Sequence, residues 1–234
     1  MSRQEHGELR DAAREIFRGL AASYEGILDA ATLLQDRRWK SWVLESVGQG
    51  ANVKLLDLGC GTLLLEEYRR LSGFEVAGLD LSGEMLAVGR AKRLPNVFLL
   101  VEGDAVALPF RDESFDSVVS CYVVKYVDVH SFLKELSRVV RPGGAVVFYD
   151  FARPKGPLAP FLGVYVYGVL RIVGVLLQAG RRRESPTFER LPGIIRTATW
   201  DSGLIDLMKN CGFDGIKVKK FASGIVRAYA ATKG

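Results

Sequence analysis

Short apolar runs recur through the middle of this chain, several of them followed by a stretch of helical spacing. VKLLDLG (53–59), FEVAGLD (74–80), NVFLLVEGD (96–104), FDSVVSCYVV (115–124) and GAVVFYDF (144–151) read as strands. Their near-continuous hydrophobicity is that of strands covered on both faces. Helical stretches lie between them: one running to about Leu71, one over 83–93, and HSFLKELSRVV (130–140), stopped by Arg141-Pro142-Gly143-Gly144. Strands alternating with helices build a parallel sheet with helices on both faces, an α/β fold. Amphipathic helices are also expected over 8–22, roughly 33–47 and 200–211. FDGIKVKKF and GIVRAYAAT then read as two strands separated by a turn, an antiparallel C-terminal edge.

At 234 residues the chain suits one such domain. Hydrophobic residues at 48% and charged residues at 25% exclude a disordered or collagen-like chain. Cys60, Cys121 and Cys211 are scattered and odd in number, which argues against a disulfide scaffold and for a reducing, cytoplasmic compartment. With His6 and His130 as the only histidines, no Cys/His metal site is expected. The formal net charge of +5 is localised: residues 153–200 hold eight basic residues against two acidic ones, so the rest of the chain is close to neutral. A basic segment on a neutral body points to a local anionic contact, not to nucleic acid.

DLGCGT (57–62) directly follows the first predicted strand. Gly59 and Gly61 allow a tight turn and a close backbone approach to a ligand, and the following helix presents free N–H groups there. Asp80 ends the second strand, where a carboxylate can accept from a ribose diol. The third glycine of a dinucleotide fingerprint is here Leu64, and no triphosphate-binding loop is present. Asp57 would repel a pyrophosphate and suits a cationic ligand. Asp104, ending the third strand, can accept from an adenine amine. Acids at three neighbouring strand ends suit a cationic adenosyl ligand.

DLGCGT, GLDLS (78–82), GDAVALPF (103–110), SFDSVV (114–119) and RVVRPGG (138–144) resemble the successive motifs of class I S-adenosylmethionine-dependent methyltransferases. IFRGLAASYEGIL (16–28), DRRWKSW (36–42) and the tail 212–234 extend the resemblance to the ubiquinone/menaquinone-biosynthesis C-methyltransferase (UbiE-like) family. It implies a Rossmann-like fold with a mostly parallel seven-stranded sheet. It also implies S-adenosylmethionine as cofactor: Gly59, Cys60, Gly61 and Thr62 at the methionine end with Asp57 supporting the loop, Asp80 and Leu81 at the ribose, Asp104 and Ala105 at the adenine. Met85 would pack on the adenine face and Cys121 would touch the methionine portion.

The chain departs from that family twice. The usual glycine after the threonine is Leu63, which costs backbone freedom near the sulfonium. The family's Phe-Gly-(Ile/Leu)-Arg-Asn segment is here Tyr122-Val123-Val124-Lys125-Tyr126, so a lysine replaces the planar guanidinium. Lys125 is the candidate catalytic residue, facing a phenolate formed during carbon methylation. Tyr24, Trp39, Lys125 and Tyr165 are the candidate substrate contacts, with packing the competing account of Tyr24 and Trp39.

The expected organisation is a single domain: helical cap 1–50, cofactor-binding core 51–151, apolar and basic substrate lid 152–199, and helix with strands 200–234. LAPFLGVYVYGVLRIVGVLL (158–177) is long enough to span a bilayer, but a span there would pull one sheet apart. It is expected to cap the active site, with Arg181-Arg182-Arg183 available for an anionic membrane surface. The acceptor expected is a quinone precursor or another lipid-like molecule. An N- or O-methyltransferase of a phospholipid or small metabolite, and a non-catalytic cofactor-binding protein, are the alternatives.

Overall fold

The computed structural model describes residues 3–47, 52–68, 73–154, 159–160, 163–164, 168, 191–197 and 199–234. Three helices come first: α1 (Arg3–Leu20), α2 (Tyr24–Thr32) and α3 (Asp36–Ser46). Then β1 (Val53–Leu58), α4 (Leu64–Tyr68), β2 (Phe74–Asp80), α5 (Gly83–Ala91), β3 (Val97–Glu102), β4 (Phe115–Cys121), α6 (Val129–Val139) and β5 (Val140–Phe151) alternate. The C-terminal part holds α7 (Leu191–Thr197), α8 (Leu204–Asn210), β6 (Phe213–Phe221) and β7 (Val226–Lys233).

The seven strands form one sheet in the order β3-β2-β1-β4-β5-β7-β6. β1 to β5 pair in parallel with their neighbours. The C-terminal hairpin supplies the antiparallel edge region, and within it the last strand takes the inner place: β7 runs antiparallel to both β5 and β6. The chain winds outward in both directions from β1 and β4, which places a crevice at their carboxyl ends.

Consecutive strand residues point to opposite faces. Leu55, Val119 and Val147 join Ile16, Trp39 and Val43 on the face covered by the N-terminal helices. Leu56, Val118 and Val146 join Phe132, Leu136, Met208 and Phe213 on the other face. α6 starts at Asp128, whose carboxylate accepts from the Ser131 N–H at 2.9 Å, so His130 sits in the first turn. Among the described residues no helix is long and apolar enough to cross a membrane. The run 158–177 lies almost wholly outside them, as do Tyr165 and Arg181 to Arg183.

A buried polar cluster fastens α3 to the sheet. Asp36, fully buried, accepts from Tyr122 Oη and Tyr149 Oη, each at 2.7 Å, and pairs with Lys40 one turn on. Hydrogen bonds to a charged acceptor are worth about 1.5–3 kcal/mol. Tyr149→Phe is expected to lower unfolding stability by about that amount. Urea denaturation reads it as a lower midpoint at constant slope, and an unmoved midpoint contradicts the bond's role.

Candidate active site

A cleft opens at the carboxyl ends of β1, β2 and β4 and is closed on one side by α1. It brings together Gly59, Gly61, Asp80, Leu81, Met85, Asp104, Ala105 and Cys121 from distant parts of the sequence, with Tyr24 at its border. The loop after β1 is stitched to β2: Gly59 and Cys60 both donate backbone N–H bonds to the Leu79 carbonyl, at 2.7 and 3.1 Å. Gly59 has φ 71°, and a Cβ there would fall 2.1 Å from Val123 Cγ2, so the loop can pass beneath Val123 only as glycine.

Asp80 organises the floor. One carboxylate oxygen accepts from Gly61 N–H and the other from Ser82 N–H, both at 2.8 Å. The Ser82 hydroxyl in turn caps α5 by accepting from Met85 N–H at 3.3 Å. Burial outweighs these bonds and raises the Asp80 carboxyl to about 6.

Below the loop, Asp57 and Glu66 are buried against one another. Burial first, and the facing Glu66 second, push Asp57 well above the carboxylate range; burial raises Glu66 as well. Asp57 Oδ1 and both Glu66 oxygens have no hydrogen-bond donor among the described residues. Protonation of one of the two carboxyls would relieve this repulsion. Asp57 therefore lies beneath the loop and does not line the cleft.

Other expected contacts point elsewhere. Cys60 turns away from the cleft into a small cluster with Leu63 and Leu86, its Sγ 2.7 Å from where a Gly78 Cβ would stand. Thr62 is fully buried and donates its hydroxyl to Glu25 Oε1 at 2.6 Å. Trp39 is core: it stacks on Phe221 at 5.9 Å and meets Tyr149 edge-on at 6.4 Å. Lys125 is the largest correction. Its side chain is 2% exposed, and its ammonium donates to Asp150 Oδ1 at 2.8 Å and to the Tyr122 carbonyl at 2.6 Å. It lies outside the cofactor cleft, because the turn of 3-10 helix over Val124–Tyr126 folds it back toward β5, and it lines the adjoining apolar pocket instead.

Leu63 has a left-handed backbone, at φ 62°. That costs about 1–2 kcal/mol for a residue with a Cβ. Burying the leucine to 1% exposure returns about 1.5–3 kcal/mol. Room for it comes from Gly89 on α5, where a Cβ would fall 2.9 Å from Leu63 Cγ.

Two site residues escape the sequence reading. Arg10 and Arg14, one turn apart on α1, reach over the cleft. Arg10 pairs with Asp104 at 3.6 Å, while Arg14 pairs with Glu102 at 3.5 Å and donates to the Leu81 carbonyl at 3.3 Å. In sequence they read as the solvated side of an amphipathic helix.

The family profile described as the ubiE/COQ5 methyltransferase family matches residues 4–233. The chain belongs to this family. It is an S-adenosylmethionine-dependent methyltransferase. It is 29% identical to a demethylmenaquinone methyltransferase of Tropheryma whipplei (strain Twist), over 98% of this chain and 95% of that one. It is 33% identical to a demethylmenaquinone methyltransferase of Mycolicibacterium paratuberculosis, over 95% and 94% of the two chains. Among solved structures, a Haemonchus contortus phosphoethanolamine N-methyltransferase 2 superposes with a TM-score of 0.61 at 17% identity, over 93% of this chain and 60% of that one. That likeness shows the class I methyltransferase fold alone.

The cleft of this methyltransferase fits its cofactor. Each Asp80 oxygen accepts one backbone bond and retains a lone pair for a ribose hydroxyl. Beside it, a Cβ on Gly61 would crowd Met85 Cε at 3.2 Å, which leaves the loop backbone bare toward the ligand. A ribose diol needs Asp80 as the carboxylate. Cofactor affinity is thus expected to hold above pH 7 and to fall as the pH drops through about 6. If the carboxylate form alone binds, the dissociation constant at pH 5 is roughly tenfold above its neutral value. Calorimetric titrations from pH 5 to 8 check this, and a flat profile contradicts the assignment of Asp80.

Proposed function

We propose that this methyltransferase places a methyl group on a ring carbon of a reduced, tail-bearing quinone precursor of the demethylmenaquinol type. One observation carries the reading. A small apolar pocket adjoins the cofactor cleft, and Phe17, Tyr24, Tyr122 and Tyr126 line both. The rest of its wall is mostly aliphatic, from Ile16, Leu20, Ile27, Leu28 and Ala31, and suits an isoprenoid tail; Phe151 and the ion-paired Lys125 complete it. The names of the curated relatives point the same way.

Asp80 would hold the ribose, the Gly59–Gly61 backbone the methionine end, and Asp104 with Ala105 the adenine, with Met85 against the ring. Bound there, S-adenosylmethionine supplies an electrophilic methyl group. The chain's own part is alignment and dryness. Phe17 meets Tyr24 and Tyr126 edge-on at 6.0 and 5.9 Å, and this aromatic wall fixes the plane of an incoming ring. α1 excludes water from the cleft. The basic excess of residues 153–200 favours an anionic membrane surface from which such an acceptor is drawn.

The test is purified protein incubated with demethylmenaquinol and S-adenosylmethionine, read by mass spectrometry. The expected result is menaquinol formed in equal amount with S-adenosylhomocysteine. Methylation of an amine headgroup with demethylmenaquinol untouched overturns the reading.

A further inference from the structure

We propose that the Tyr126 hydroxyl donates the hydrogen bond that holds the acceptor's ring oxygen and stabilises the negative charge on it during methyl transfer; this rests on the aromatic acceptor proposed above. Tyr126 is 5% exposed, and its hydroxyl oxygen has no hydrogen-bond partner among the described residues. Burying a hydroxyl unpaired is costly, and folded proteins tolerate few such groups. Of the buried unpartnered side-chain atoms among the described residues, this one alone belongs to a residue that lines both the cofactor cleft and the apolar pocket.

The neighbouring polar groups are already committed. The Tyr122 hydroxyl is bound to Asp36, and the Lys125 ammonium to Asp150 and the Tyr122 carbonyl. The Tyr126 hydroxyl therefore remains to meet an acceptor on this segment. Its ring is held in place by the Phe17 edge at 5.9 Å and by the backbone bond from Tyr126 N–H to the Val123 carbonyl at 2.9 Å. Lys125 Nζ stands 4.3 Å from the ring centroid. A cation on the ring face draws electron density from the phenol and makes its O–H a stronger donor. Burial first, and the Asp150 charge second, keep the phenol protonated, which is the donating form. With its ammonium committed to Asp150 and the Tyr122 carbonyl, Lys125 acts on the acceptor's oxygen through Tyr126.

Tyr126→Phe removes the hydroxyl and keeps the ring, the Phe17 contact and the cation contact. Turnover of demethylmenaquinol is expected to fall by roughly 10²-fold, as on loss of one oxyanion donor. Affinity for S-adenosylhomocysteine and the Tm are expected to stay unchanged, because the lost hydroxyl has no protein partner. As an activity-free readout, 1-naphthol binding in the presence of S-adenosylhomocysteine should weaken roughly tenfold, the scale of one hydrogen bond. A variant that matches the wild type in turnover and naphthol binding overturns the proposal. So does a lowered Tm, which would reveal a protein partner for the hydroxyl. A wild type that ignores demethylmenaquinol but loses naphthol affinity on substitution keeps Tyr126 as a phenol-binding residue and removes the quinone reading. A wild type that neither methylates demethylmenaquinol nor binds naphthol overturns both.

Discussion

Asp80→Ala is expected to raise the dissociation constant for S-adenosylmethionine by roughly 10- to 150-fold. The carboxylate bridges the end of β2 to the glycine loop through Gly61 N–H and to the start of α5 through Ser82 N–H. Its loss frees both donors and removes the acceptor for the ribose hydroxyls, so the cofactor meets a looser loop and an unpaired diol. Each hydrogen bond to a charged acceptor is worth about 1.5–3 kcal/mol, which sets the range. Asp80→Asn retains one carbonyl oxygen of the same shape but turns the other oxygen into a donor facing a backbone N–H, so it should fall between alanine and wild type. Calorimetry on the three proteins decides this. Equal dissociation constants would move the ribose away from Asp80.

Lys125→Ala is expected to cost about 3–5 kcal/mol of folding stability, the scale for breaking a buried ion pair from one side. The Asp150 carboxylate is fully buried, and besides Lys125 Nζ it accepts from the backbone N–H groups of Lys125 at 3.1 Å and Phe151 at 2.7 Å. Burial already raises Asp150 and lowers Lys125, each held in its charged form by the other. Without the ammonium, Asp150 rises further above its unfolded value. The folded variant then takes up a proton that the unfolded chain releases at neutral pH, so its stability falls as pH rises. The gap to the wild type should narrow in acid. Lys125→Met combined with Asp150→Leu should recover most of the loss, because no buried charge is left uncompensated. Denaturant midpoints at pH 5 and pH 8 read these outcomes. A fully stable alanine variant with lost turnover would instead return Lys125 to direct contact with the acceptor.

The parallel core was legible because its inner strands are near-continuous apolar runs, the pattern of strands covered on both faces. The break between α2 and α3 was not. It turns on Leu33 and Leu34, both in the left-handed region at φ 49° and 61° without a glycine to announce it, and an expected helix start at 33 shifted to Asp36. Backbone-defined positions of the site were readable: Gly59, Gly61, Asp80 and Asp104 occupy strand ends that the fold forces together. Side-chain direction was not readable, since it depends on neighbours distant in sequence. Cys60 turns inward because Gly78 and Leu63 leave it a small apolar niche. Lys125 finds Asp150 across β5, and Asp36 finds two tyrosines 86 and 113 residues away. Tyr126 drew no notice in the sequence because an unpartnered hydroxyl exists only once the packing is known.

Carbon methylation of a reduced quinone ring is tested most directly by following a carbon-13 methyl group from labelled S-adenosylmethionine into demethylmenaquinol and recording the product's methyl resonance. The expected result is a signal in the aryl-methyl region, formed by the wild type and strongly diminished with Asp80→Ala at low cofactor concentration. A signal in the methoxy or methylammonium region, or no transfer to the quinol while another acceptor is labelled, would contradict it.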